Sequence, residues 1–281
     1  MKTHNTQKAW FITGTSKGFG LSLVQQLLAK GERVAATSRN KKDIENLIPK
    51  NENFLALEMD LTDEYDVKRA LDQTLEAFGR IDVIVNNAGY GLIGALEELS
   101  DKESRQNFDV NVFGSLNVIR QALPQLRKQR FGHIINISSI GGYSGDFPGF
   151  GIYCATKFAV VGFTESLAME VAPFNIRTTV VLPGYFRTNF LNSDSLSVPQ
   201  NQIADYGSIR ESQQIHQKQI NGNQPGDPEK GVAAIIAIVS EENPPLHLFL
   251  GSDAYTMASN KAKTMMEEVE SRKSISVGTD F

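Results

Sequence analysis

Ala9-Trp10-Phe11-Ile12-Thr13 is a short, almost wholly apolar run that stops at a glycine. A strand with only one buried face alternates apolar and polar residues, so an unbroken run of this length reads as a strand covered on both faces. Next comes Thr13-Gly14-Thr15-Ser16-Lys17-Gly18-Phe19-Gly20, then an amphipathic stretch to Lys30, with Gly31 as its stop. A buried strand, a glycine-rich turn and a helix make a phosphate cradle. The glycines let backbone N–H groups approach the anion, and the helix N-terminus favours its charge. The glycines are spaced Gly-x-x-x-Gly-x-Gly, not Gly-x-Gly-x-x-Gly.

The alternation that begins there continues along the chain. Strands are expected over Arg33 to Ser38, Phe54 to Met59, Ile81 to Val85, Gly132 to Ile137, Ile176 to Leu182 and Leu246 to Leu250. Helices are expected over Tyr65 to Phe78, from a capping box at Ser100 and Glu103 through to about Gln129, around Tyr153 as far as Pro173, and over Glu229 to Val239. Strands alternating with helices mean parallel strands with helices on both faces. The expected fold is α/β, a doubly wound parallel sheet (Rossmann-like), in a single domain over residues 1–281. It carries a C-terminal helical extension, a charged helix from about Tyr255 to Lys273 followed by a frayed polar tail. Residues 189–228 are rich in Asn, Gln and Ser and poor in apolar residues. A stretch of that length without a core-forming pattern is expected to be a mobile lid over the ligands.

Ligands of such sheets sit at the carboxyl ends of the strands, and a bound dinucleotide puts its adenosine ribose at the end of the second strand. There the residues are Ser38 and Arg39, with Lys17 in the glycine-rich turn. An acidic residue would bind the 2′-hydroxyl of NAD, whereas cations suit the 2′-phosphate of NADP, which Arg can hold with two parallel bonds.

Composition removes several other classes. The formal net charge is -4, against a nucleic-acid surface. No stretch reaches the ~18 apolar residues of a membrane span. Met1 to Lys8 has no apolar signal core. Cys154 is the one cysteine, so the chain has no internal disulfide, and no His or carboxylate flanks it as a nucleophile would require. His4, His133, His216 and His247 are scattered without metal spacing. A cytoplasmic protein without metal is expected.

Tyr153 and Lys157 stand one helical turn apart, and residues at i and i+4 share a helix face. A free phenol titrates near ~10. A cation about 4 Å away at an effective dielectric of ~20 supplies roughly 4 kcal/mol, enough to lower the phenol by up to about three units. A tyrosine so placed could exchange a proton with an alcohol or a carbonyl oxygen near neutral pH.

The combined motifs resemble the classical short-chain dehydrogenase/reductase family, over roughly residues 8 to 255. They are Thr13-Gly14-x-x-x-Gly18-x-Gly20, Asp60, Asn86-Asn87-Ala88-Gly89, Asn111, Ser139, Tyr153-x-x-x-Lys157 and Pro183-Gly184-x-x-x-Thr188. The resemblance implies that Tyr153 is the general acid/base and that Lys157 binds the nicotinamide ribose and lowers the Tyr153 pKa. It implies that Ser139 bonds the substrate carbonyl and that Asn111 holds a water in a proton relay. Ser138 is the rival to Ser139, which is preferred as the second of the pair. On the same basis the cofactor site comprises Gly14, Thr15, Ser16, Lys17, Gly18, Phe19, Gly20, Ser38, Arg39, Asp60, Leu61, Asn87, Ala88, Gly89, Pro183, Gly184 and Thr188, with Tyr153 and Lys157.

An NADP(H)-dependent carbonyl reductase or alcohol dehydrogenase is therefore expected. A non-catalytic NADP(H)-binding sensor or scaffold is the alternative. Tyr143, Phe147, Phe150, Tyr185, Phe186 and Phe190 flank the catalytic elements, about half of them as packing, and the rest suit a bulky apolar or aromatic ketone. Many tetrameric relatives end in Asp-Gly-Gly where this chain has Gly251-Ser252-Asp253 and an added helix. That favours a dimer or monomer over a tetramer.

Overall fold

In a computed structural model, residues 7–281 are described; the first six residues, and His4 with them, lie outside the described residues. In chain order the strands are β1 (Ala9–Thr13), β2 (Arg33–Ser38), β3 (Phe54–Glu58), β4 (Val83–Asn86), β5 (Gly91–Leu92), β6 (Gly132–Ile137), β7 (Ile176–Pro183), β8 (Leu196–Ser197) and β9 (His247–Leu250). The α-helices are α1 (Gly18–Ala29), α2 (Lys42–Glu45), α3 (Glu64–Phe78), α4 (Asp101–Phe108), α5 (Gly114–Gln129), α6 (Gly151–Val171), α7 (Gly207–Gln214), α8 (Pro228–Ile238), α9 (Ser252–Ser271) and α10 (Lys273–Val277). Seven strands form one parallel sheet in the order β3-β2-β1-β4-β6-β7-β9. The order reverses between β1 and β4, where a doubly wound sheet opens a crevice at its carboxyl edge.

The continuous apolar runs follow from cover on both faces. On β1, Ala9 and Phe11 point into a core with α3, α5 and α6, through Val67, Leu71, Val118, Ala122 and Leu167. Trp10 and Ile12 point the other way, against Leu23 and Leu27 of α1 and Val232 and Ile235 of α8. Neither face of the strand meets water, so neither needs a polar residue.

Three parts depart from the sequence reading. The expected helix from Ser100 to Gln129 does start with the Ser100–Glu103 capping box, but a π-helical turn over Asp109–Phe113 splits it into α4 and α5. Residues 189–228 contain β8, α7 and a second π-helical turn over Ile215–Ile220. They fold without a long apolar pattern because β8 pairs with β5 and because polar His216 and Gln224 are buried as well as Leu191, Leu196 and Ile209. The C-terminal helix begins three residues earlier than expected, at Ser252, and the expected frayed tail contains the short α10. No helix among the described residues is long and apolar enough to cross a membrane.

Candidate active site

The carboxyl ends of β1 and β4 are tied by one threonine. Thr13 Oγ1 accepts the N–H groups of Asn87 and Ala88, both at 3.0 Å, and the Asn87 amide donates back to the Thr13 and Gly14 carbonyls at 2.9 Å. The turn can be this tight only without side chains. A Cβ on Gly14 would lie 2.7 Å from Ala88 Cα, and one on Gly20 would lie 2.2 Å from the Gly14 oxygen. Gly14 and Gly18 also have φ of 70° and 56°, in the left-handed region. Helix α1 starts here with no side-chain cap. Its first-turn N–H groups therefore face the crevice, beside Ser16, Lys17 and Phe19. An uncapped helix start behind a bare glycine turn fits a pyrophosphate.

A cavity of about 550 Å³ runs from this turn across the sheet edge. At one end it is lined by Ser38, Arg39, Asp60 and Leu61. Asp60 Oδ1 accepts from the Thr62 N–H and hydroxyl at 2.9 and 2.7 Å. Lys17 lies on the rim, 2.5 Å from Asp194 Oδ2 in the 189–228 segment. Toward the other end, Gly89 separates Lys157 from Asn111. A Cβ there would lie 3.0 Å from Asn111 Oδ1 and 3.5 Å from Lys157 Nζ. Thr188 sits over Gly18, and Pro183 and Gly184 close the far wall.

Tyr153 and Lys157 are buried on α6 and both line the cavity, as does Ser139. Lys157 Nζ donates to the Ile137 carbonyl at 3.0 Å and lies 5.8 Å from the Tyr153 ring centre. The two adjacent serines divide their roles. Ser138 Oγ donates to the Lys157 carbonyl at 2.9 Å and so fixes the helix backbone, while Ser139 Oγ accepts from Gly141 N–H at 3.0 Å at the cavity wall. Asn111 lies in the first π-helical turn. Its amide donates to the Tyr90 carbonyl at 3.0 Å and to Thr156 Oγ1 at 3.1 Å, and its Oδ1 accepts the Tyr90 N–H at 3.0 Å. Of the flanking aromatics, Phe147, Phe150, Tyr185, Phe186 and Phe190 line the cavity. Tyr143 does not; it packs on Phe249 with ring centres 5.3 Å apart.

Electrostatics correct one expectation. Lys157 does not pull the Tyr153 phenol down. Burial raises the phenol above its ordinary value, and the nearby Ser139 hydroxyl only partly opposes that rise. The same burial lowers Lys157 to about 8. Desolvation is the largest cause of both shifts, and the ammonium is held on the Ile137 carbonyl. Cys154 is likewise pushed up, to about 11.

Several contacts of the site gave no readable signal. Tyr185 Oη lies 2.8 Å from His216 Nε2, a pair 31 residues apart. Asp253, at the start of α9, accepts the Tyr185 N–H at 2.6 Å. A Cβ on Gly184 would lie 2.3 Å from that same carboxylate, which explains the glycine. Asp253 is the route by which the C-terminal extension reaches the cavity wall. Among the described residues, no three His, Cys, Asp or Glu side chains cluster as a metal site.

A parallel sheet with a bare glycine turn at its switch point, and a tyrosine, lysine and serine in one cleft, defines a nucleotide-dependent oxidoreductase scaffold. The short chain dehydrogenase family model matches residues 8–197. The chain belongs to the short-chain dehydrogenase family and is an oxidoreductase with a nicotinamide-cofactor site. It is 41% identical over 242 residues to a 3-ketodihydrosphingosine reductase of Bacteroides thetaiotaomicron, covering 85% of this chain and 86% of that one. A short-chain dehydrogenase from Streptomyces avermitilis is similar in structure, with a TM-score of 0.89 at 36% identity, over 98% of this chain and 100% of its own. ElxO, solved with NADP bound, matches at 30% identity with a TM-score of 0.73, over 89% of this chain and all of that one. The same fold has also been solved with NADH.

The lysine makes stability depend on pH. Between about 8 and 10.5 the unfolded chain holds a proton on Lys157 that the folded protein has released. This residue's contribution to stability therefore rises with pH across that window: its burial penalty is full below the window and gone above it. Lys157→Met removes the penalty. Relative to wild type, the variant should lose on the order of 3 kcal/mol as pH rises through the window. The raised Tyr153 and Cys154 titrations, present in both proteins, cancel in the difference. Urea unfolding of both proteins at each end of the window measures it, and a flat difference would contradict the burial of the charge.

Proposed function

We propose that this protein is an NADP(H)-dependent reductase of bulky apolar ketones. The observation that carries the reading is the placing of the buried Tyr153 phenol with Ser139 and Lys157 in one cleft walled by Phe147, Phe150 and Phe190. A phenol in that place can give its proton to the oxygen of a bound carbonyl. The 3-ketodihydrosphingosine reductase among the relatives also supports ketone reduction.

In this reading Ser139 bonds the substrate carbonyl oxygen, and Tyr153 Oη gives that oxygen its proton as negative charge develops there. Lys157 holds the nicotinamide ribose, and Asn111 stands beside it at the start of the route by which Tyr153 is reprotonated. When bound, NADPH supplies the hydride. The uncapped first turn of α1, with Gly14 to Gly20, holds the pyrophosphate; Asn87, Ala88 and Gly89 line the ribose side; Pro183, Gly184 and Thr188 bound the nicotinamide end. Asp60 and Leu61 flank the adenine. Tyr153→Phe keeps the ring packing and removes the proton. Its kcat should fall by ~10²–10⁴ while NADPH binding is kept; near-normal turnover with a panel of aromatic and long-chain ketones would remove Tyr153 from the reaction.

The choice of NADP(H) rests on Ser38 and Arg39 at the end of β2, where no carboxylate competes for the ribose. Arg39 is exposed on the rim and Lys17 is engaged by Asp194, so Arg39 carries the discrimination. A charge-assisted bond is worth about 1.5–3 kcal/mol, or roughly tenfold or more in preference. Ser38→Asp with Arg39→Ala should reverse the ratio of kcat/KM for NADPH over NADH. Equal use of both cofactors by the wild type would sink this assignment.

Residues 189–228 act as the substrate lid in this reading, latched to the glycine-rich turn by the Lys17–Asp194 pair. Hydrogen exchange in this segment should slow when NADPH and a ketone are added together; unchanged exchange would count against a lid. A cytoplasmic setting fits the single, buried Cys154.

A homodimer completes the proposal. Helix α9 exposes Met265, Met266 and Val269 along one side. Its Lys261 and Lys263 precede Glu267, Glu268 and Glu270, so two antiparallel copies would set the basic half of each against the acidic half of the other. Light scattering should show a dimer that Val269→Glu converts to a monomer, and a monomeric wild type would rule this pairing out.

A further inference from the structure

One polar pair in the cavity lies outside the Ser139, Tyr153 and Lys157 cluster. Tyr185 Oη is 2.8 Å from His216 Nε2, and His216 Nδ1 is 2.7 Å from the Ser212 carbonyl oxygen. A carbonyl only accepts, so Nδ1 carries the proton. In the neutral ring Nε2 is then the acceptor and Tyr185 the donor. That bond uses the only proton of the phenol and leaves its oxygen lone pairs without a described donor.

One aromatic ring links the pair to Tyr153. His216 packs on Phe150 with ring centres 4.8 Å apart, and Phe150 packs on Tyr153 at 6.1 Å. The neighbouring walls are Phe147, Phe190 and Leu191. The cations lining the cavity are engaged elsewhere or distant: Lys17 on Asp194, Lys157 on the Ile137 carbonyl, and Arg39 at the Asp60 end. An anionic substrate group would find no partner here; the Asp253 carboxylate, bonded to the Tyr185 N–H, does not line this cavity, so an ammonium would find no carboxylate among these walls. A neutral hydroxyl can donate to Tyr185 Oη while the rest of the molecule stays apolar.

We infer that the Tyr185–His216 pair is a substrate subsite that accepts a hydrogen bond from a hydroxyl near the reacting carbonyl, so that the preferred substrates are hydroxyketones with an apolar body. This rests on the ketone-reductase reading above. A site built to bond a hydroxyl discriminates against the analogue that lacks it, because its own polar atom is otherwise left unpaired.

The test uses the full chain with NADPH and compares long-chain α- and β-hydroxyketones with the parent ketones of equal length. The readout is the ratio of kcat/KM for hydroxyketone over parent. In the wild type that ratio should be about tenfold or more for one of the two hydroxyl positions. Tyr185→Phe should bring it close to one, and His216→Leu, which removes the acceptor that orients the phenol, should lower it as well. NADPH titration by fluorescence separates a lost subsite from a lost fold. A wild-type ratio near one, or a ratio unmoved in both variants, overturns the inference while leaving ketone reduction standing. An aminoketone preferred over the hydroxyketone overturns the assignment to a neutral hydroxyl. A wild type that reduces none of these ketones removes the ketone-reductase reading and the subsite with it.

Discussion

A lysine ammonium buried at the wall of the cavity is the constraint on which the catalytic edge depends. Lys157 is 5% exposed, and burial lowers its pKa to about 8. A buried charge is tolerated only where polar groups surround it. Here the Ile137 carbonyl at the end of β6 receives the ammonium, and Ser138, the next residue, grips the carbonyl of Lys157 itself. Gly142 makes that grip possible, since a Cβ there would lie 2.4 Å from Ser138 Oγ. Thr156, the residue before Lys157, accepts the Asn111 amide and so joins α6 to the π-helical turn. Strand end, helix and π turn thus meet around one charge, and Ser139 and Tyr153 take their positions from the same three elements.

The opposite side of the cleft is held with equal economy. Thr13 Oγ1 receives two backbone N–H groups from the end of β4, and the Asn87 side chain returns two bonds to the glycine-rich turn. The crevice between β1 and β4 is therefore closed at its floor and open at its rim. The C-terminal extension enters the same edge through Asp253, whose carboxylate lies against Gly184 and takes the Tyr185 N–H. A helix that stands mostly in solvent is in this way anchored to the wall of the cavity.

Much of this was legible in the amino-acid order. The apolar run Ala9 to Thr13 announces a strand covered on both faces, Gly132 to Ile137 announces another strand, and the Ser100–Glu103 box announces a helix start. Tyr153 and Lys157 at helical spacing, with Ser139 after a strand, announce the polar cluster. What stayed hidden was non-local or lacked a period. The π turn at Asp109–Phe113 changes which backbone groups pair and leaves the side-chain pattern almost untouched. Segment 189–228 buries His216 and Gln224, which no hydrophobic pattern would select. Lys17 could be read as a free cation beside the second strand, yet it meets Asp194, 177 residues away. The direction of the Tyr153 shift was missed because spacing reveals a neighbouring charge and says nothing of the depth of burial.

The most direct measurement follows the hydride. NADPH carrying deuterium at its transferable position is incubated with a ketone that the wild type consumes, and the alcohol is analysed by mass spectrometry and proton NMR. The proposed reaction predicts one deuterium on the carbinol carbon, with the oxygen-bound proton exchanged from solvent. Alcohol that forms with solvent hydrogen at the carbinol carbon, or cofactor binding without consumption across the ketone panel, would contradict it and favour a non-catalytic NADP(H)-binding protein.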